Sequence, residues 1–263
     1  RLSTRRISRR AHMLLPALML STLVLAALPS AAFANIVIVR STGPSARTYP
    51  AGQQVADTGR IALRTGDRVV LLGPGGTRTL SGPGNFPAAP GTVSAASRQQ
   101  MARRYAAAMA RANQQSALGG NRRVLPPPAD VIAEMANLPD APGLWTYALG
   151  TRGTFCVPDV RDFILARPAG VPAQSITMVR IISPAVLHQM PLAVGTTIAR
   201  WNGFTPVDGD NLLVLGASTL PYRLRIIQIG TPPDDPQALT ALLASRGCTD
   251  QLDRLGAAMP AEG

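Results

Sequence analysis

The chain has 263 residues, with 26 basic and 14 acidic side chains and a formal net charge of +12; none of the basic residues is lysine. An apolar fraction of 46% is too high for a disordered chain, and two cysteines are too few for a disulfide scaffold. Only the N-terminus carries a long apolar stretch, which excludes a polytopic membrane protein.

That stretch comes first. Arg1, Arg5, Arg6, Arg9 and Arg10 form a basic region without acids, followed by an apolar run from Ala11 to Leu28 and the breakers Pro29 and Ser30. Ala32-Phe33-Ala34 supplies a small-x-small end, so residues 1–34 are expected to be a secretory signal peptide cleaved before Asn35. Pro16 interrupts the run, which argues against its retention as an anchor. The membrane is then met only in transit, and the mature protein is expected in the periplasm or outside the cell. Arginine without lysine matches the codon usage of a GC-rich bacterial genome, and no recognition chemistry is read into it.

The mature chain is divided by charge. Residues 35–128 carry 12 arginines against Asp57 and Asp67, a net of +10, whereas residues 129–263 carry 9 arginines against 12 acids, a net of −3. Residues 35–92 are expected to form a small basic β domain. Ile36-Val37-Ile38-Val39 suits a buried strand, and Ile61 and Leu63 alternate with Ala62 and Arg64. Val69 to Leu72 and Thr77 to Leu80 flank a Gly73-Pro74-Gly75-Gly76 turn, which predicts a hairpin. Phe86 comes after a second turn as an apolar plug. So few residues have little core of their own and are expected to lean on the next part of the chain.

The order Pro50-Ala51-Gly52, then Leu63-Arg64-Thr65-Gly66-Asp67-Arg68 and Val69 to Leu72, then Gly76-Thr77 and Leu80, resembles the periplasmic β-domain of the FecR family. The resemblance implies a small two-hairpin domain, and a signalling accessory that couples an envelope event to a membrane partner.

Residues 93–120 predict an amphipathic helix. Met101, Tyr105, Met109 and Ala112 share a stripe, Ser97 and Gln100 have capping-box spacing, and Gly119-Gly120 offers a stop. Residues 121–140, with Pro126-Pro127-Pro128, read as a stiff extended linker. Residues 141–263 predict a β-sandwich-like domain. Trp145, Tyr147 and Leu149 share one strand face, as do Tyr222, Leu224 and Ile226, and short strands are spaced between Pro- and Gly-bearing turns. Asp235 and Pro236 open a C-terminal helix that Gly247 stops, and a last turn runs through Leu252 and Leu255. The expected fold is mainly β, of the α+β class, with two β modules, a connecting helix and a C-terminal helix.

In an oxidising compartment Cys156 and Cys248 are expected to pair and clamp that helix onto the β module. No catalytic residue, cofactor or metal is assigned. His188 is the mature chain's one histidine and lies in an expected strand; one His and two Cys do not make a zinc site, and a phosphate loop of the usual form needs lysine. Asp159 with Asp162, and Asp208 with Asp210, are the carboxylate pairs that a glycan hydrolase would require, and solvated turns explain both. Asp208-Gly209-Asp210-Asn211 resembles only a fragment of a calcium loop.

Arg103, Arg104, Arg111, Arg122 and Arg123 are the expected contacts for an anionic polymer or lipid of the envelope, or for an envelope protein. Nucleic acid is not expected, because the basic half offers only Tyr49, Phe86 and Tyr105 for stacking. The reading is an exported, non-catalytic envelope protein that binds or scaffolds. Its alternatives are the FecR-like accessory and the carboxylate-dependent glycan hydrolase.

Overall fold

The computed structural model describes residues 36–117, 126–139, 141–167, 174–182, 187–192, 197–216 and 220–261. The cleavage-site residues Ala32, Ala34 and Asn35, the helix stop Gly119-Gly120, and Arg122 with Arg123 lie outside them. The described residues hold fourteen strands in four sheets and four α-helices, a mainly β fold of the α+β class.

The first six strands are β1 (Ile36–Thr42), β2 (Gln54–Val55), β3 (Arg60–Leu63), β4 (Arg68–Gly73), β5 (Gly76–Ser81) and β6 (Gly84–Pro87). An antiparallel sheet runs in the order β2-β1-β4-β5, and β3 pairs with β6 beside it. The expected hairpin turn lies between Gly73 and Gly76, which pair across it. Ile36, Ile38, Ile61, Leu63, Val69, Leu71, Leu80 and Ala88 fill the space between the two sheets. Phe86 is only half-buried and folds back over Gly84, so the residue buried after that turn is Ala88.

Helix α1 (Ala95–Ala117) buries Met101, Tyr105, Ala108 and Ala112 along the predicted stripe, while Met109 packs at its edge. Its cap is Ser94 rather than Ser97: the Ser94 hydroxyl accepts the Ser97 N–H at 3.0 Å, and Ser97 already lies in the first turn. The 121–140 segment, expected to be extended, contains α2 (Ala129–Met135). The prolines end at Pro128, which leaves a run of helix formers, and Asp130 lies at the positive end of the helix dipole.

The third part of the chain supplies β7 (Thr146–Ala148), β8 (Gly153–Val157), β9 (Ile164–Ala166), β10 (Gln174–Arg180), β11 (Leu187–Leu192), β12 (Ile198–Arg200), β13 (Asn211–Leu215) and β14 (Tyr222–Gln228). They form a five-stranded sheet, β11-β10-β13-β14-β8, and a three-stranded sheet, β12-β9-β7. The pairs β14/β8 and β7/β9 are parallel and the others antiparallel. Tyr222, Leu224 and Ile226 point inward and Arg223 and Arg225 outward, the alternation that a sheet with one wet face requires. Tyr147, Phe155 and Phe163 meet between the sheets with ring centroids 5.4 to 6.1 Å apart. Trp145 breaks from the expected shared face: it belongs to a different core from Tyr147 and Leu149.

Two helices close the chain. In α3 (Pro236–Ser245) the Asp235 carboxylate accepts the Ala238 N–H at 2.6 Å, as the Asp-Pro start predicts. The expected last turn is a ten-residue helix, α4 (Thr249–Ala258), with Leu252 and Leu255 buried. A third core joins these helices to Val39, Leu72, Tyr105, Trp145 and Cys156, and so takes residues from both sides of the 121–140 segment. Gln251 is fully buried there and caps the free edge of β8. Its amide oxygen accepts the Cys156 N–H at 2.7 Å, and its NH2 group donates to Cys156 O and Leu144 O, each at 2.8 Å. One side chain thus does for that edge what a neighbouring strand would do.

Candidate functional site

The basic surface is organised by a bulge. Along β1 the residues Ile36 and Ile38 face the core between the first two sheets, so strict alternation would turn Arg40 into the same apolar space. Between Ile38 and Arg40 the register against β4 slips: Ile38 opposes Leu71 and Arg40 opposes Val70, which leaves Val39 as the extra residue. The slip moves every later side chain of β1 to the opposite face. Val39 keeps its place against the helices, and Arg40 and Thr42 emerge beside Val70 and Arg68 of β4.

Arg40, Thr42, Arg68 and Val70 line a groove of about 350 Å³. The Arg68 guanidinium makes no hydrogen bond or ion pair among the described residues. Arg40, with a side chain 61% exposed, has a single distant partner in Asp253 at 3.8 Å. The carboxylate nearest in sequence does not neutralise the groove. Asp67 is buried, and it accepts the backbone N–H groups of Ser45 at 2.8 Å and Arg64 at 2.5 Å. That tie brings the turn after β1 and the β3–β4 connection together, and with them the exposed Arg47 and Arg64. One end of the small sheet therefore presents four guanidinium groups. Arginine is always charged and offers a fork of donors, so such an end attracts phosphates and carboxylates.

The arginines singled out on α1 are placed differently. Arg103 is exposed, but Arg104 and Arg111 face α2. Arg104 pairs with Glu134 at 2.5 Å and donates to Asn137 O at 2.6 Å. Arg111 donates to Met135 O at 2.6 Å and Pro139 O at 2.7 Å. Both guanidinium groups fasten the 129–139 segment to the helix.

The carboxylates considered for hydrolysis are likewise engaged. Asp159 caps the 3₁₀ turn Val160–Asp162 and binds Arg161. Asp162 pairs with Arg200 at 2.8 Å, and Asp208 accepts the Gln228 N–H at 2.8 Å. Asp210 is buried in a two-point pair with Arg180, at 2.9 and 2.7 Å. His188 stacks edge-on against Trp201, with centroids 5.1 Å apart. Among the described residues no three His, Cys, Asp or Glu side chains are grouped to hold a metal.

Cys156 and Cys248 form the expected disulfide, fully buried, with Cα atoms 5.9 Å apart. It joins β8 to the residue that precedes α4, so the last helix is tied through the core it covers.

No protein-family model, curated protein or solved structure matches this chain.

The groove residues were not among the candidates read from the sequence. Arg68-Val69-Val70 shows the outward-inward alternation, but which strand lies beside it and where β1 bulges are properties of the pairing.

Proposed function

We propose that the chain is an exported, non-catalytic protein of the bacterial envelope that binds through its basic β end. The partner is an anionic envelope polymer or lipid surface that presents phosphate or carboxylate groups. The bulge at Val39 carries the reading. An arginine that would otherwise enter an apolar core is turned outward beside Arg68, and the groove between them has Thr42 and Val70 for a floor. Bulges commonly re-aim a side chain at a site of use. The buried disulfide supports a location where thiols are oxidised. Four guanidinium groups at one end suit an extended partner better than a single ion.

The test compares native protein with the Arg40→Gln/Arg68→Gln double variant on phosphatidylglycerol vesicles and on alginate, over a range of salt. Each arginine near an anionic surface contributes on the order of 1 kcal/mol. The double variant should therefore bind roughly thirtyfold more weakly at low salt, with a smaller salt dependence. Equal affinities would overturn the assignment of the groove, and the two surfaces separate lipid from polymer. Mass spectrometry of protein recovered from the envelope should find Asn35 at the N-terminus. A longer N-terminus would favour the FecR-like accessory held in the membrane.

A further inference from the structure

A second depression, separate from the groove, lies between α1, the 138–144 segment and α4, with a volume of about 240 Å³. Much of its wall is apolar: Ala108 from α1, Leu138, Pro142 and Leu144 from the connecting segment, and Ala257 and Ala258 from α4. A dry cavity of about 150 Å³ accepts benzene, so this one has room for a single ring or a branched chain with a short extension.

Four charged side chains also border it: Arg111, Asp250, Asp253 and Arg254. Three are engaged in bonds within the fold. Arg111 is spent on the carbonyls of Met135 and Pro139. Arg254 binds Asp250 and donates to Gly143 O at 3.1 Å and Thr146 O at 2.7 Å. These bonds hold the connecting segment as a fixed wall between the helices. Asp253 is different. Its carboxylate accepts no hydrogen bond among the described residues, its side chain is 46% exposed, and its nearest cation, Arg40, stands 3.8 Å away. Among the described residues the cleft thus combines an apolar floor with a carboxylate, Asp253, that accepts no hydrogen bond.

We infer that this cleft is a binding site for a small amine, with an apolar body the size of one ring and an ammonium group that pairs with Asp253. The ring replaces water against Ala108, Leu138 and Leu144, which is favourable at about 25 cal/mol per Å² of apolar surface covered. The ammonium supplies the donors that the carboxylate lacks. An anion of the same shape would meet the Asp253 charge. The inference does not depend on the basic groove, which lies on other residues apart from the shared Arg40–Asp253 contact.

The experiment titrates phenethylamine and its neutral isostere 2-phenylethanol into the full protein, observed by amide chemical shifts in two-dimensional NMR. Phenethylamine should saturate with shifts centred on residues 138–144 and 250–258, and bind at least about tenfold tighter than the alcohol, the ratio for 1.4 kcal/mol. In Asp253→Asn the two ligands should bind equally. In Ala257→Leu, whose added side chain occupies the cleft from an exposed helix position, both should lose binding. Burial, opposed by Arg40 and reinforced by Asp250, holds the Asp253 pKa above 3.8. The preference for the amine should accordingly shrink as pH falls through that raised value, Arg40 and Asp250 being the charged groups that act on Asp253. Absence of saturable binding, equal affinity for amine and alcohol in the native protein, or a preference that survives Asp253→Asn would each overturn the inference.

Discussion

Asp67 shows how one buried carboxylate can organise a surface through backbone N–H groups. Burial pushes its pKa up, but hydrogen bonds from Ser45 and Arg64, together with the Arg64 charge, outweigh that and hold it below 3.8. A carboxyl depressed in the folded state stabilises the protein above its unfolded value and loses that contribution as pH falls through the folded one. Acidification should therefore destabilise the native protein more steeply below pH 3.8 than it does Asp67→Asn, which carries no titrating group there. Urea unfolding monitored at several acidic pH values checks this, and parallel curves for the two proteins would refute it. Gly43 belongs to the same arrangement. Its φ is +99°, and a Cβ there would come within 2.6 Å of the Asp67 carboxylate, so the turn and the buried acid require one another.

At the scale of elements, arginine has an unexpected role in holding α2. That helix has no fully buried residue; Val131 and Met135 pack half-buried against the shared core, and Arg104 and Arg111 of α1 reach the Glu134 carboxylate and three backbone carbonyls. Hydrogen bonds from charged donors contribute roughly 1.5 to 3 kcal/mol each. Arg111→Ala should therefore loosen the segment locally and leave global stability little changed. Hydrogen exchange should accelerate about tenfold or more across residues 129–139, as expected for a loss of 1.4 kcal/mol or greater, while β8 and β14 keep their protection. Uniform acceleration over the whole chain, or none, would contradict the strap. The sequence placed these arginines on the polar side of α1 and assigned them to an outside partner. In the structure they bond to groups 24 to 33 residues later, in a segment whose triple proline suggested an extended linker.

Across the whole molecule, the helices and both sheet systems share one core. Val39 and Leu72 come from the first sheet, Met101 and Tyr105 from α1, Trp145 and Cys156 from the sandwich, and Leu243 and Leu252 from the closing helices. The C-terminus returns to the first sheet, where Pro260 O accepts the Thr77 N–H at 2.7 Å and Ala261 bridges Thr77 in parallel. Gly52 rests so close to Ala244 of α3 that a Cβ would lie 2.2 Å from that methyl. The disulfide closes a loop of 92 residues inside this core. Chain entropy sets its contribution at no more than about 4 to 5 kcal/mol. Cys156→Ala/Cys248→Ala should lose most of that in chemical denaturation, in a single transition that moves the first sheet and the sandwich together. Separate transitions by hydrogen exchange would show that the shared core does not couple them.

Much of the local structure was legible in the sequence because it depends on neighbours along the chain. The alternation at Ile61–Leu63 and Tyr222–Ile226, the Gly-Pro-Gly-Gly hairpin, the α1 stripe and the Asp235-Pro236 helix start are all settled by a strand's period of two, a helix's 3.6 or the dihedral needs of a turn. The cysteine pair was legible for another reason: the chain has two cysteines, so an intramolecular bridge can join only those. The groove and the cleft were not legible. Arg40 faces outward only because β1 slips by one residue against β4, and Asp253 borders an apolar hollow only because two arginines pin a distant loop across α4. Register and side-chain reach are decided between segments far apart in the chain. Composition and periodicity therefore settle most of the strands and helices, whereas pairing and packing settle which charges face outward.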